Sequence, residues 1–66
     1  MFKDRLISLR KSKKLTQAEM ANIIGVHRGT YSNYETGLRN PDYETLKKIA
    51  DFFDVTTDYL LGRVDD

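Results

Sequence analysis

The segment from Thr16 to Gly25 constrains this chain more than any other. Thr16-Gln17-Ala18-Glu19 has the form of a capping box, in which Thr16 caps a helix start and Glu19 reaches back to it. Gly25 stands where a left-handed helix stop is wanted. A helix held between those two signals has only about two turns. The fold must therefore be assembled from short helices.

The same punctuation recurs on either side. Phe2, Leu6 and Leu9 repeat at i, i+4, i+7 and predict a first helix over about residues 2–13. Its last turn is Lys11-Ser12-Lys13-Lys14, cations where the helix dipole favours them, and Leu15 closes a short linker. In the second helix, starting at Gln17, the expected inward stripe is Ala18, Ala21 and Ile24. A third begins near His27 or Arg28, runs to about Glu35 with Tyr31 and Tyr34 inward, and stops at Gly37. Asn40-Pro41-Asp42 reads as a turn followed by an N-cap. Leu46, Ile49, Ala50 and Phe53 give the fourth helix the strongest period in the chain, while Phe52 falls off that stripe as extra core or dimer surface. Thr56 caps a fifth, holding Tyr59 and Leu60 and ended by Gly62; Leu61 is as ambiguous as Phe52. No segment alternates with period two, and there is no internal repeat or interdomain linker. The expectation is an all-α bundle of five helices in one domain over residues 1–66.

A domain of 66 residues leaves about 40% of its unfolded surface exposed, so its core is thin. It has no cysteine to staple it. One histidine and no cysteine also exclude a zinc finger, a thiol nucleophile and a redox dithiol, and suit a reducing, cytoplasmic location. Asp51, Asp54 and Asp58 lie in no calcium-loop pattern. His27 has no neighbouring nucleophile to serve as a base. Neither metal, cofactor, small-molecule ligand nor catalytic residue is expected. Met1-Phe2-Lys3-Asp4-Arg5 carries charge with no apolar run behind it, which speaks against a secretory signal or a membrane span.

The net charge of +1 conceals a polarity. Residues 1–39 carry eight basic groups against three acidic ones, and residues 40–66 carry three against seven. A basic half on a nearly neutral domain is the footprint of a polyanion binder.

Gln17 to Thr36 then supplies the motif. Two short helices joined by a glycine-containing turn make a helix-turn-helix. The first helix needs a small residue where it abuts the second, and Ala21 is one. The turn needs a residue that tolerates positive φ, and Gly25 does. With Tyr31 inward, 100° per residue puts Gly29 and Asn33 nearly opposite and Ser32 to one side. His27 and Arg28 project from the amino end, which enters a DNA groove first.

Leu15-Thr16-Gln17-Ala18-Glu19, Ala21, Gly25-Val26, Tyr34-Glu35-Thr36-Gly37, Pro41, Leu46-Lys47-Lys48-Ile49-Ala50 and Asp58-Tyr59-Leu60-Leu61 follow in order. That set resembles the phage-repressor/Cro type of helix-turn-helix domain, often called Xre-like, over essentially residues 2–62. The resemblance implies a lambda-repressor-like bundle that binds a double-stranded DNA operator, usually as a homodimer, and regulates transcription. It places His27, Arg28, Gly29 and Asn33 at base-reading positions, with Ser32 marginal, and Gln17, Arg39 and Asn40 at phosphates. It also implies an ion pair between Arg10 and Glu35, with Arg10 near a phosphate; a partly exposed pair is worth about 0–1 kcal/mol.

Three residues depart from the family pattern. His27 stands where a hydroxyl usually caps the third helix, so either that helix starts later or the imidazole has a role on DNA. Gly29 occupies a reading position without a side chain to read with. Tyr31 replaces a commoner aliphatic, and its hydroxyl needs a partner. The function expected is sequence-specific regulation of transcription, as a repressor dimer on a near-palindromic operator. The alternative is an antitoxin or anti-repressor that uses the same bundle to grip a protein. Around Pro41 to Tyr43 and Val55 to Thr57 lies the expected dimer surface.

Overall fold

The starts at Thr16, Asp42 and Thr56 and the stops at Gly25 and Gly37 fall where the sequence pattern marks them. The fourth helix stops at Asp54 in a left-handed conformation, and the fifth is capped by Leu61 rather than Gly62. The structure, a computed structural model, describes residues 1–65. Its helices are α1 (Phe2–Ser12), α2 (Gln17–Ile24), α3 (Arg28–Thr36), α4 (Tyr43–Phe53) and α5 (Thr57–Leu60), with no strand among the described residues. Thr16 Oγ1 accepts from the Glu19 amide at 3.1 Å and Glu19 Oε1 accepts from the Thr16 amide at 2.8 Å, completing the capping box of α2. Asp42 caps α4 by accepting from the Thr45 amide at 2.8 Å, and Thr56 caps α5 through the Tyr59 amide at 3.0 Å. Caps of this kind satisfy amides that the first helical turn leaves without an intrahelical partner.

Every helix contributes one wholly enclosed side chain to the core: Leu6, Met20, Tyr31, Ile49 and Leu60. Ala21, Ile24, Tyr34, Ala50 and Phe53 complete it, and the Tyr31 and Tyr34 rings meet edge to face at 6.2 Å. α3 packs against α1 and α2, α4 against α2 and α5, and α1 against α5. In so thin a core, truncating Ile49 to alanine would cost about 2–5 kcal/mol.

The inward stripe of α2 differs from the expected one. Met20, Ala21 and Ile24 are buried, and Ala18 is exposed. Met20 and Ile24 share a face one helical turn apart, and Ala18 lies about 200° around the helix from Met20. Phe52 proves to be core extension: half-buried, it stacks edge to face on Phe53 at 5.0 Å and carries the Lys13 ammonium over its ring. Leu61 is exposed. Arg5 fastens the chain's end to α1. Its guanidinium lies 4.3 Å over the Tyr59 ring and donates to the carbonyls of Tyr59 and Val64. Among the described residues, no helix is long and apolar enough to cross a membrane.

Candidate nucleic-acid interface

Two short helices set the frame of the site. α2 ends at Gly25, whose φ of 75° turns the chain, and the Val26 amide closes back on the Ala21 carbonyl at 3.0 Å. α3 then starts at Arg28, with His27 in the cap position in extended conformation. The helix does not start later, and the imidazole makes no cap hydrogen bond. The first-turn amides of α3 therefore have no side-chain cap.

Along α3, the inner face is Tyr31, Tyr34 and Glu35. His27, Arg28 and Gly29 are exposed at the amino end, and Ser32 and Asn33 are half-buried further along. A β-carbon built on Gly29 meets no heavy atom within 4 Å, so packing within the chain does not demand glycine there. The Asn33 carbonyl accepts from the Gly37 amide at 3.1 Å and the Arg39 amide at 3.2 Å. Those bonds tie the loop after α3 to the helix and leave Arg39 and Asn40 exposed beside it.

Arg10 and Gln17 are placed differently. Arg10 turns inward: Nε donates to Glu35 Oε2 at 2.7 Å, Nη2 to Glu35 Oε1 at 3.1 Å and Nη1 to the Leu15 carbonyl at 2.8 Å. The expected ion pair is present; its carboxylate is buried and its guanidinium partly so, with side-chain exposures of 4% and 13%. Gln17 is half-buried and its Nε2 donates to Glu35 Oε1 at 3.0 Å. The Tyr31 hydroxyl finds its partner in Glu35 Oε2. Burial acts to raise the Glu35 carboxyl, but the donors Arg10, Tyr31 and Gln17 outweigh it and hold it below the usual carboxylate range. Burial first, and then the carboxylate it donates to, push the Tyr31 phenol upward.

The nine expected site residues thus fall into three groups. His27, Arg28, Gly29, Ser32 and Asn33 line the outer side and amino end of α3; Arg39 and Asn40 flank it; Arg10 and Gln17 converge on Glu35. Sequence reasoning missed the roles of Tyr31 and Glu35 as a linked pair. Their i, i+4 spacing on one helical face was the available signal.

The family pattern described as helix-turn-helix matches residues 6–60. The chain belongs to the helix-turn-helix family. This helix-turn-helix chain is 51% identical over 61 residues to the uncharacterized HTH-type transcriptional regulator YqaE of Bacillus subtilis, covering 92% of the chain and 53% of that protein. It is 44% identical to the cryptic phage CTXphi transcriptional repressor RstR of Vibrio cholerae, covering 94% of the chain and 55% of the relative. Its fold matches the N-terminal DNA binding domain of SinR from Bacillus subtilis with a TM-score of 0.83 and 32% identity, over 92% of this chain and 90% of that one. The helix-turn-helix chain spans about half the length of the curated relatives it matches.

Proposed function

We propose that this chain binds duplex DNA sequence-specifically and regulates transcription as a repressor, in the cytoplasm and without catalysis or cofactor. The observation that carries the reading is the outer side of α3. Arg28 and Gly29 stand exposed, Ser32 and Asn33 follow along the helix, and the core is built from the opposite face. Support comes from the likeness to a SinR domain described as DNA-binding and to a protein named as a phage transcriptional repressor.

In this reading α3 enters the major groove. Arg28 presents two parallel donors to guanine O6 and N7, and Asn33 presents an amide to adenine N6 and N7. His27 and Ser32 sit at the margins, and Gly29 lets the helix backbone approach the bases. Arg39 and Asn40 meet phosphates, which supply affinity and register. Gln17 meets a phosphate from the start of α2, and Arg10 supports it from behind through Glu35. One α3 reads only a few base pairs, so two copies on a near-palindromic operator are proposed, with half-sites about 34 Å apart.

Selection from a random duplex pool, followed by titration of the selected site, tests this. Arg28→Ala and Asn33→Ala should keep the melting temperature and each cost about 1–3 kcal/mol of binding, relaxing preference at one base position. Wild-type affinity in both variants would refute the assignment. A flat salt dependence on random duplex would mark a protein-interaction module instead.

A further inference from the structure

Glu35 is the one charged side chain that is buried among the described residues, and it lies between the two elements proposed to touch DNA. Four donors converge on it: Arg10 Nε and Nη2, Gln17 Nε2 and the Tyr31 hydroxyl. A carboxylate offers about four lone-pair sites, so its acceptor capacity is filled. Neutralising its charge requires Arg10 alone. Arg10 also grips both oxygens in a fork; the two uncharged donors add one bond to each oxygen and link the carboxylate to the Tyr31 ring and to α2.

Gln17 is the first residue of α2, and Glu35 sits in the last turn of α3. Their 3.0 Å bond pins the amino end of one helix to the far end of the other. The capping box occupies the Glu19 amide and the Met20 amide bonds the Thr16 carbonyl, whereas the Gln17 and Ala18 amides have no intrahelical partner. One N–H of the Gln17 side chain remains beyond the bond to Glu35. The donors left at this helix start are thus held in a fixed relation to α3 before any DNA arrives.

We propose that Glu35, oriented by Arg10 and by the Tyr31 hydroxyl, is a positioning residue that aims Gln17 at a DNA phosphate. The inference rests on the DNA-binding reading and says how the phosphate grip and the reading helix are coupled. Glu35 Oε2 is shared by Arg10 and Tyr31, and Oε1 by Arg10 and Gln17. Without the phenol, Oε2 keeps only its bond from Arg10 Nε, and the carboxylate shifts on the Arg10 fork and carries the Gln17 amide with it. Gln17 then regains side-chain freedom that phosphate binding must remove again, and affinity falls for every sequence alike. A phosphate held by the tethered Gln17 also sets the angle at which α3 meets the groove.

Tyr31→Phe tests this because the ring stays in the core and only the hydroxyl is lost. The side-chain amide resonances of Gln17 are read by NMR in the free protein, and affinity for random duplex is measured well below the melting temperature. The expected results are a shift of those resonances and about a three- to tenfold loss of affinity, the size of one hydrogen bond. In a Gln17→Ala background, the same substitution should weaken binding by less than about twofold. An equal loss in both backgrounds, or unmoved Gln17 resonances, overturns the positioning role alone. A wild-type protein that binds no duplex overturns the DNA reading and this inference with it.

Discussion

Glu35 makes the protein sensitive to acid in a defined direction. Its carboxyl is held below the ordinary value by Arg10, Tyr31 and Gln17 despite the opposing effect of burial. The unfolded chain returns it to about 4.3. Between the two values the unfolded state binds more protons, so the contribution to stability is complete above the unfolded value and is lost as pH falls through the folded one. In acid titrations followed by circular dichroism, Glu35→Gln should start less stable at neutral pH and decline less steeply below about pH 4. Parallel curves would assign the acid limb elsewhere, to Asp42 and Glu19, whose carboxyls the Thr45 and Thr16 amides hold low. The partnership of Arg10 with Glu35 was legible from the family resemblance, but its strength was not. The pair is partly exposed on its Arg10 side, as expected, but its carboxylate is buried. Removing Arg10 therefore strands a buried charge and costs more than a surface pair's roughly 0–1 kcal/mol.

At the scale of the element, the turn after α2 and the helix α3 each carry a glycine with open space where a β-carbon would go. Gly25 has φ +75°, whereas Gly29 lies within α3. Alanine should therefore act oppositely at the two. Gly25→Ala forces a left-handed alanine and should cost about 1–2 kcal/mol, with operator binding changed only through stability. Gly29→Ala relieves the helix of glycine and should raise stability by up to about 1 kcal/mol, while the added methyl crowds the groove and weakens operator binding. Thermal melts beside operator titrations separate the two cases. A destabilised Gly29→Ala, or one that binds better, would contradict this reading. Helix existence, the side-chain N-caps and the glycine stops of α2 and α3 were legible because they depend on near neighbours in the chain; the ends of α4 at Asp54 and α5 at Leu61 were not. Nor was the inward face of α2, since Ala18 and Met20 are both acceptable helix residues and only the position of the neighbouring helices selects Met20.

For the whole molecule, size limits how two copies can meet. The backbone extends 28 × 23 × 19 Å along its principal axes, so with side chains added its longest dimension is comparable to the half-site spacing of about 34 Å. Two copies on one face of a duplex would touch only at a projecting edge. Tyr43 is 85% exposed and Leu61 49%, and both border a groove of about 260 Å³ shared with Phe2, Pro41 and Leu46. Of the two segments expected at a dimer surface, Pro41 to Tyr43 belongs to that groove, whereas Val55 packs against the core. A contact through so few side chains falls short of the roughly 800 Å² per partner of stable interfaces. The chain should sediment as a monomer at micromolar concentration and bind a selected palindrome as two copies. Tyr43→Ser and Leu61→Ser should leave the melting temperature nearly unchanged and reduce cooperativity between half-sites. One copy bound per non-repeated site would refute the pairing.

What the sequence determined by itself is what local chemistry controls. Thr16, Asp42 and Thr56 start helices by capping nearby amides, Gly25 stops one by its φ, and the spacing of Leu46, Ile49, Ala50 and Phe53 selects a buried face. The exposure of Arg28 and Gly29 was readable for the same reason, because fixing Tyr31 inward fixes the rest of the turn, whereas Ser32 and Asn33, expected outward or to one side, are half-buried. Only the tertiary structure decided what meets across helices: Met20 rather than Ala18 in the core, Phe52 under Lys13, and Gln17 on Glu35 rather than lying open beside it. Such contacts join residues far apart in the chain, and their geometry is set by how the helices pack, a quantity no single segment encodes.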